Sequence, residues 1–192
     1  MAESIVSICN NALILIGKDS IASLEDQTAG ARKCKQRWDS VRDAVLRDHE
    51  WACCMKEAAL AASSTAPLSW DYAYPLPSDC IRVVGLSDTD KNVIDAWEVM
   101  AGELLCDTAA PVVLRYVRRE TDPAKYDSML SEAFSARLAL ELCTALAGPT
   151  TLLEAMNKLY QDRLRGARGV NARDRAPRTL FESRWRIAKN GS

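Results

Sequence analysis

The residues best suited to chemistry in this chain are few. His49 is the only histidine, and Cys53 and Cys54 follow it four and five residues on. Thiolate and imidazole both work near neutral pH, so a nucleophile pair or a metal site is one chemistry to consider. The sequence shows no third group to orient the pair, and a metal site needs three or four ligands. The reading adopted is a histidine at a helix C-terminus, interacting with the helix dipole. Carboxylates also occur in close pairs: Glu25 with Asp26, Asp39 with Asp43, and Asp88 with Asp90. A glycosidase-type acid pair is within their chemistry, but spacing selects none of them over a solvated helix face or a turn. Gly-x-Ser-x-Gly, Gly-x-Gly-x-x-Gly, Walker-type loops and His-Glu-x-x-His are all absent. Eight dispersed glycines write no phosphate cradle. No catalytic, cofactor-binding or metal-ligating residue is therefore assigned, no cofactor is expected, and the chain is not read as an enzyme.

Charge is the next signal. Residues 161–192 hold nine Lys/Arg against three Asp/Glu, a net of +6, while residues 1–160 carry a net of −7. Such segregation concerns partners more than fold. Arg163, Arg165, Arg168, Arg173, Arg175, Arg178, Arg184 and Arg186 stand with Phe181 and Trp185 in the basic tail. Charge plus stacking could bind single-stranded nucleic acid. The same residues could order on a protein partner, with the aromatics as anchors and the arginines as hydrogen-bonding clamps. Two large aromatics argue against a merely solvated terminus. The protein partner is preferred, because the acidic body of the same chain repels a phosphate backbone.

These residues need a scaffold, and the 192-residue length suits one compact domain or one domain with a sizeable insertion. A chain of this size buries roughly 70% of its unfolded surface and needs no staple. The seven cysteines are odd in number and scattered, with no Cys-x-x-Cys, so they read as free buried thiols in a reducing compartment. No apolar run approaches the roughly 18 residues of a membrane span. The N-terminal stretch, broken by Asn10 and Asn11 and preceded by no Lys or Arg, is not a signal peptide. A soluble protein is expected.

Helical spacing runs from Ser4 to Ile16 through Ile5, Ile8, Cys9, Ala12, Leu13 and Ile16, with Ser4 as cap and Gly17 at the left-handed end position. A second helix is predicted over Thr28 to Asp48, its buried stripe Ala31, Cys34, Trp38, Val41, Val45 and Leu46. Glu50 to Ala62 is mixed, with an Ala-rich stretch that could be helical. Ser63 to Pro67 reads as a linker, and Trp70, Tyr72 and Tyr74 then alternate ahead of Pro75 and Pro77 as an extended sheet-edge path. Cys80 to Leu86, Val93 to Met100 and Val112 to Arg119 read as strands of a small antiparallel sheet. Asp122-Pro123 signals a helix start, and the broad apolar arc that follows (Leu130, Ala133, Phe134, Leu138, Leu142) implies a central helix covered on several sides. Gly148-Pro149 ends it, and Thr151 to Glu154 fits a capping box for a last helix running towards Arg168.

The expected fold is α+β, mainly α: a bundle of about four helices with a small antiparallel β insertion and an extended basic C-terminal tail. The expected organisation is residues 1–62 as the first half of the helical core, 63–121 as the β-rich insertion, 122–169 as the second half, and 170–192 as a C-terminal arm.

Several of these residues, taken in order, resemble the tail tubular protein A family of short-tailed bacteriophages. They are Asn11-Ala12-Leu13 with Ile16-Gly17, Ile21 to Leu24, Trp38 with Val41-Arg42-Asp43 and Val45-Leu46, then His49 and Trp51. The most specific part is Trp70 through Tyr72-Ala73-Tyr74-Pro75-Leu76-Pro77, closing in Asp79-Cys80-Ile81-Arg82-Val83. Leu114-Arg115-Tyr116-Val117, Asp122-Pro123, Tyr126-Asp127 and the Phe134 to Leu142 helix continue it, so the likeness spans about residues 4–165. It departs at Cys53-Cys54, where the family pattern leads one to expect Phe-Ala. The resemblance implies a virion structural protein at the head-to-tail joint, made and assembled in the host bacterial cytoplasm. It implies a homo-oligomer, a dodecameric adaptor ring docked beneath the portal protein. That ring receives the tubular nozzle protein and encloses a channel for double-stranded DNA that passes without sequence-specific contact; no membrane is involved. Related adaptors reach the portal with their C-terminal segment, which makes Phe181, Arg184, Trp185 and Arg186 the candidate portal contacts. The alternative is a nucleic-acid-binding module using the basic tail. A third reading is a peptidoglycan-cleaving tail enzyme carried by an unidentified carboxylate pair.

Overall fold

The computed structural model describes residues 3–63, 69–146 and 150–174, with side chains to residue 170. The chain begins helical. Helix α1 spans Ile5–Leu15, and its N-cap Ser4 exchanges hydrogen bonds with Ser7: Ser7 N–H donates to Ser4 Oγ at 3.0 Å and Ser4 N–H to Ser7 Oγ at 2.9 Å. Gly17 ends it at φ +67°, a conformation open to glycine without strain, and lets Lys18 N–H reach Leu13 O at 2.9 Å. Asn10 does not break the helix. Its amide clasps both backbone groups of Ile21, at 2.9 and 2.8 Å, and fixes the loop to the next helix. Helix α2, Ala29–Asp48, is capped by Thr28 and buries the six residues of its predicted stripe.

Beyond α2 the chain departs from expectation. After a short 3₁₀ turn, Ala52–Cys54, the Ala-rich stretch is strand β1, Met55–Leu60. There follow β2 (Tyr72–Pro75), β3 (Cys80–Ser87), β4 (Val93–Ile94), β5 (Glu98–Met100), β6 (Glu103–Cys106) and β7 (Val112–Arg118). They form two antiparallel sheets, β1-β7-β3-β4 and β2-β6-β5. Helix α3, Ser128–Ala145, and helix α4, Thr150–Asp174, complete the described chain.

The expected helical bundle with a small β insertion is thus corrected. Among the described residues, seven strands in two sheets make an α+β fold in which helices account for 48% and strands for 21%. The physical reason lies in tertiary pairing that overrides local propensity. Alanines favour helix, yet Met55–Leu60 has β7 alongside, in register from Met55↔Val117 to Leu60↔Val112. The region read as one strand over Val93 to Met100 is two short ones in different sheets, β4 on β3 and β5 on β6. Glu103–Cys106, assigned no element from sequence, is the middle strand of the second sheet.

Helix boundaries shift as well. Asp122-Pro123 opens only a 3₁₀ turn, Pro123–Lys125, and the N-cap of α3 is Asp127, which accepts from Leu130 N–H at 2.7 Å. Helix α4 starts at Thr150, so Thr151 and Glu154 lie within it instead of capping it, and it runs past Arg168 to Asp174. The linker Ser63 to Pro67 and the helix stop Gly148-Pro149 fall largely or wholly outside the described residues.

Two cores result. One packs α3 against α1, α2 and α4, as its apolar arc predicts, with Trp38 and Tyr126 ringing Phe134 at 5.6 and 5.0 Å. The other lies between the sheets, where Leu60, Leu86, Val112, Leu114 and Tyr116 meet Tyr74, Leu104 and Cys106. Ile81 and Val117 belong to the helical core, so the α2 side of the first sheet joins the two layers.

Candidate functional site

The densest polar arrangement sits where helices meet sheets. Its first part follows α2. His49 is the C-cap of α2, as the helix-end reading expects, and its ring stands edge-on to Trp51, with centroids 4.9 Å apart. Trp51 is fully buried and donates its indole N–H to Val45 O at 2.9 Å. Cys53 and Cys54 lie with sulfurs 3.8 Å apart, and the Cys53 thiol reaches Asp127 Oδ2 at 3.5 Å. The Cys54 S–H lowers the Cys53 thiol, whereas its contact with Cys53 and its own burial push Cys54 up. Among the described residues no group of three or more His, Cys, Asp or Glu is placed to hold a metal ion.

The second part is the turn from β7 into α3. Glu120, only 4% exposed, accepts from the backbone N–H groups of Thr121 and Asp122, both at 3.0 Å. Arg118 and Lys125 flank its other oxygen, and Tyr126 O–H donates to its carbonyl at 2.8 Å. Sequence reading passed over Glu120. A carboxylate between a strand and an Asp-Pro turn was the available signal, since such a turn leaves backbone N–H groups to satisfy.

The third part is the segment most specific to the family resemblance, and it crosses from one sheet to the other. Tyr72 and Tyr74 project onto the inter-sheet core, and Tyr74 O–H donates to Thr108 O at 2.6 Å. Leu76 N–H reaches Gly102 O at 3.1 Å, and Asp79 then gathers Lys56 Nζ and Tyr116 O–H, both at 2.9 Å. Partial burial works against the Asp79 charge, but these two partners prevail and hold the carboxyl below its usual range. Arg47 of α2 donates to Ile81 O at 2.9 Å, Arg82 pairs with Glu50 at 3.5 Å, and Arg119 grips both oxygens of Asp43 at 3.1 Å. The last three contacts link the first sheet to α2 and the residues that follow it.

Five of the six carboxylates in the pairs singled out from sequence are likewise engaged. Asp39 and Asp43 share Arg42, Glu25 pairs with Lys35 at 2.7 Å, and Asp26 accepts from Ala22 and Ser23 N–H. Asp88 closes the β3–β4 turn through the side chain and backbone of Asn92, which lowers its carboxyl.

Two surface features remain. A groove of about 260 Å³ lies between α1, α3 and α4, with Ile14, Leu15 and Leu159 as its apolar wall and a Glu132–Arg163 ion pair at its rim. On the second sheet the β5–β6 hairpin presents Val99 and Met100 to solvent. Its turn residues Ala101 and Gly102 have φ of +52° and +83°, matching the right-handed twist of a two-residue hairpin. Phe181, Arg184, Trp185 and Arg186 lie outside the described residues. No helix among the described residues is long and apolar enough to cross a membrane. The sequence matches no family model and no curated protein.

Proposed function

We propose that this chain is a head-to-tail adaptor subunit of a short-tailed phage virion, forming a ring between portal and nozzle around the DNA channel. The observation that carries this reading is the placement of the segment Trp70–Val83, the most specific part of the family resemblance. Its polar groups tie down each sheet where the chain passes from one to the other, through Tyr74 in the second and Asp79 in the first, and bind sheet to helix through Ile81 and Arg82. Residues that carry the resemblance thus serve rigidity of the layered body, which suits a protein whose work is assembly. The ring is a dodecamer on this reading, and Phe181, Arg184, Trp185 and Arg186 make the portal contact.

The test is native mass measurement of the protein mixed with its cognate portal ring, with and without residues 175–192. The deletion leaves every described residue of α4 in place. A shift equal to a full ring of added subunits, lost on truncation, is the expected result. A shift that survives truncation keeps the adaptor and removes the tail assignment. No shift, together with DNA affinity that falls steeply with salt, would favour the nucleic-acid module.

A further inference from the structure

We propose that Cys53 and Cys54 form a thiol–disulfide exchange site, in which Cys53 meets a small disulfide from solvent and Cys54 closes the pair to a vicinal disulfide. The site goes beyond the adaptor reading and does not rest on it.

Three observations carry it. First, access singles out one thiol. Cys9, Cys34, Cys54, Cys106 and Cys143 are buried, and only Cys53 and Cys80 are partly exposed. Cys9 and Cys34 also meet as thiols, yet both are fully enclosed. Among the described residues, Cys53 alone combines access with a second thiol, Cys54 Sγ at 3.8 Å. A disulfide carried by solvent can reach Cys53, while Cys54 lies behind it with no exposed surface. Exchange through a mixed disulfide needs this order, an accessible attacking thiol and a resolving thiol beside it. The Cys54 S–H favours the Cys53 thiolate, and the Asp127 backbone N–H adds to it, against burial and the Asp127 carboxylate.

Second, the pair sits in a turn. Ala52–Cys54 is the 3₁₀ turn between α2 and β1, where Cys54 N–H donates to Trp51 O at 2.9 Å. Adjacent Cα atoms lie about 3.8 Å apart, closer than the roughly 4.4 Å at which ordinary disulfides begin. Bringing the sulfurs from 3.8 Å to about 2 Å must therefore twist this turn. A bond formed under strain is readily reduced, which suits reversible exchange better than stapling.

Third, the pair touches the start of α3. Cys53 S–H donates to Asp127 Oδ2 at 3.5 Å, while Asp127 Oδ1 accepts from Leu130 N–H at 2.7 Å. Oxidation removes that S–H and draws the Cys53 sulfur towards Cys54, so the cap of α3 loses a partner.

The exchange balances with a small-molecule disulfide, oxidised glutathione, as co-reactant. The Cys53 thiolate, its proton given to water, attacks one glutathione sulfur; the S–S bond breaks and one glutathione leaves, taking a proton from water. Cys54 Sγ then attacks Cys53 Sγ in the mixed disulfide, and the second glutathione leaves as a thiol with the Cys54 proton. Two protein thiols are oxidised, and one small disulfide is reduced to two thiols.

The test incubates the full-length chain with oxidised and reduced glutathione at stepped ratios, quenches by alkylation and maps the peptides by mass. Wild type is expected to lose two hydrogens from the peptide holding residues 53 and 54, and dithiothreitol to restore them. Cys54→Ser is expected to halt at a glutathione adduct on Cys53. Cys53→Ser is expected to react at Cys54 about tenfold more slowly or less, since the buried thiol then waits on local opening. Wild type that stops at the adduct overturns the proposal, as does a disulfide on another pair such as Cys9 and Cys34. A folded wild type that resists oxidised glutathione at every ratio does the same. All three are read without a variant, so a substitution that disturbs folding cannot mask them. In the oxidised protein, amide exchange at Leu130 and Ser131 should quicken while the rest of α3 keeps its protection; unchanged exchange there refutes the coupling to the helix.

Discussion

Replacing Glu120 by alanine strips an acceptor from two backbone N–H groups and a partner from Arg118 inside a nearly closed turn. Denaturant titration should show a loss of about 2 to 3 kcal/mol, the usual penalty for buried donors left without an acceptor. Glu25→Ala, which breaks a solvent-exposed pair with Lys35, should stay within about 0.5 kcal/mol in the same assay. The contrast separates a carboxylate that shapes the chain from one that decorates it. Two tyrosines contribute to the alkaline limit. Burial raises the Tyr126 and Tyr160 hydroxyls well above the ordinary value, and for Tyr160 the hydrogen bond to Asp48 at 2.6 Å adds to it. A phenol whose folded pKa lies above its unfolded one contributes stability in full below the unfolded value and loses it as pH climbs towards the folded one. The contribution of these two phenols should therefore fall from about pH 10 upward. Phenolate absorbance should rise together with loss of circular dichroism, and Tyr126→Phe with Tyr160→Phe should move that fall to higher pH.

At the scale of elements, the cap of α3 offers a direct comparison. Asp127→Ala removes the bond to Leu130 N–H and should cost about 1 kcal/mol. Asp122→Ala loosens only the 3₁₀ turn through Ala124 N–H and should cost a few tenths by thermal denaturation. An equal loss would place the helix start where the sequence suggests it. That suggestion was reasonable, since Asp-Pro is a strong local signal, but the four residues between Asp122 and Asp127 are used for a turn that Glu120 organises. Elsewhere, local chemistry was enough. The stripe from Ala31 to Leu46, the Ser4 cap and the left-handed Gly17 are legible because each depends on neighbours within a turn or two. β1 and β6 were not legible, because alanines in the one and a four-residue length in the other say nothing of the strands that lie beside them. The polar joint was hidden for the same reason: Asp79 with Lys56, and Arg119 with Asp43, are separated by 23 and 76 residues. Of the candidate site, the sequence supplied the Trp70–Val83 segment, but not the groove between α1, α3 and α4 or the β5–β6 hairpin.

For the whole molecule, the two cores are joined by charged and hydrogen-bonded contacts at α2, so force applied at the helices reaches the sheets through Arg47, Arg82 and Arg119. On the adaptor reading proposed above, such bracing suits a ring that holds against a packaged genome. One arrangement has a temporal side. α3 is the helix on which the other three lean, and it is encoded after all seven strands. Ser135 reaches back to Ile8 O, and Tyr160 to Asp48, across 127 and 112 residues. On the ribosome, α1 and α2 therefore wait with their apolar stripes uncovered while the sheets are made, since chain closure over such spans comes last. Arrested nascent chains carrying residues 1–127 should show free amide exchange throughout α1 and α2, and protection should arrive only when α3 and α4 have emerged. The interval is one in which a chaperone has a substrate and the chain has no helical layer.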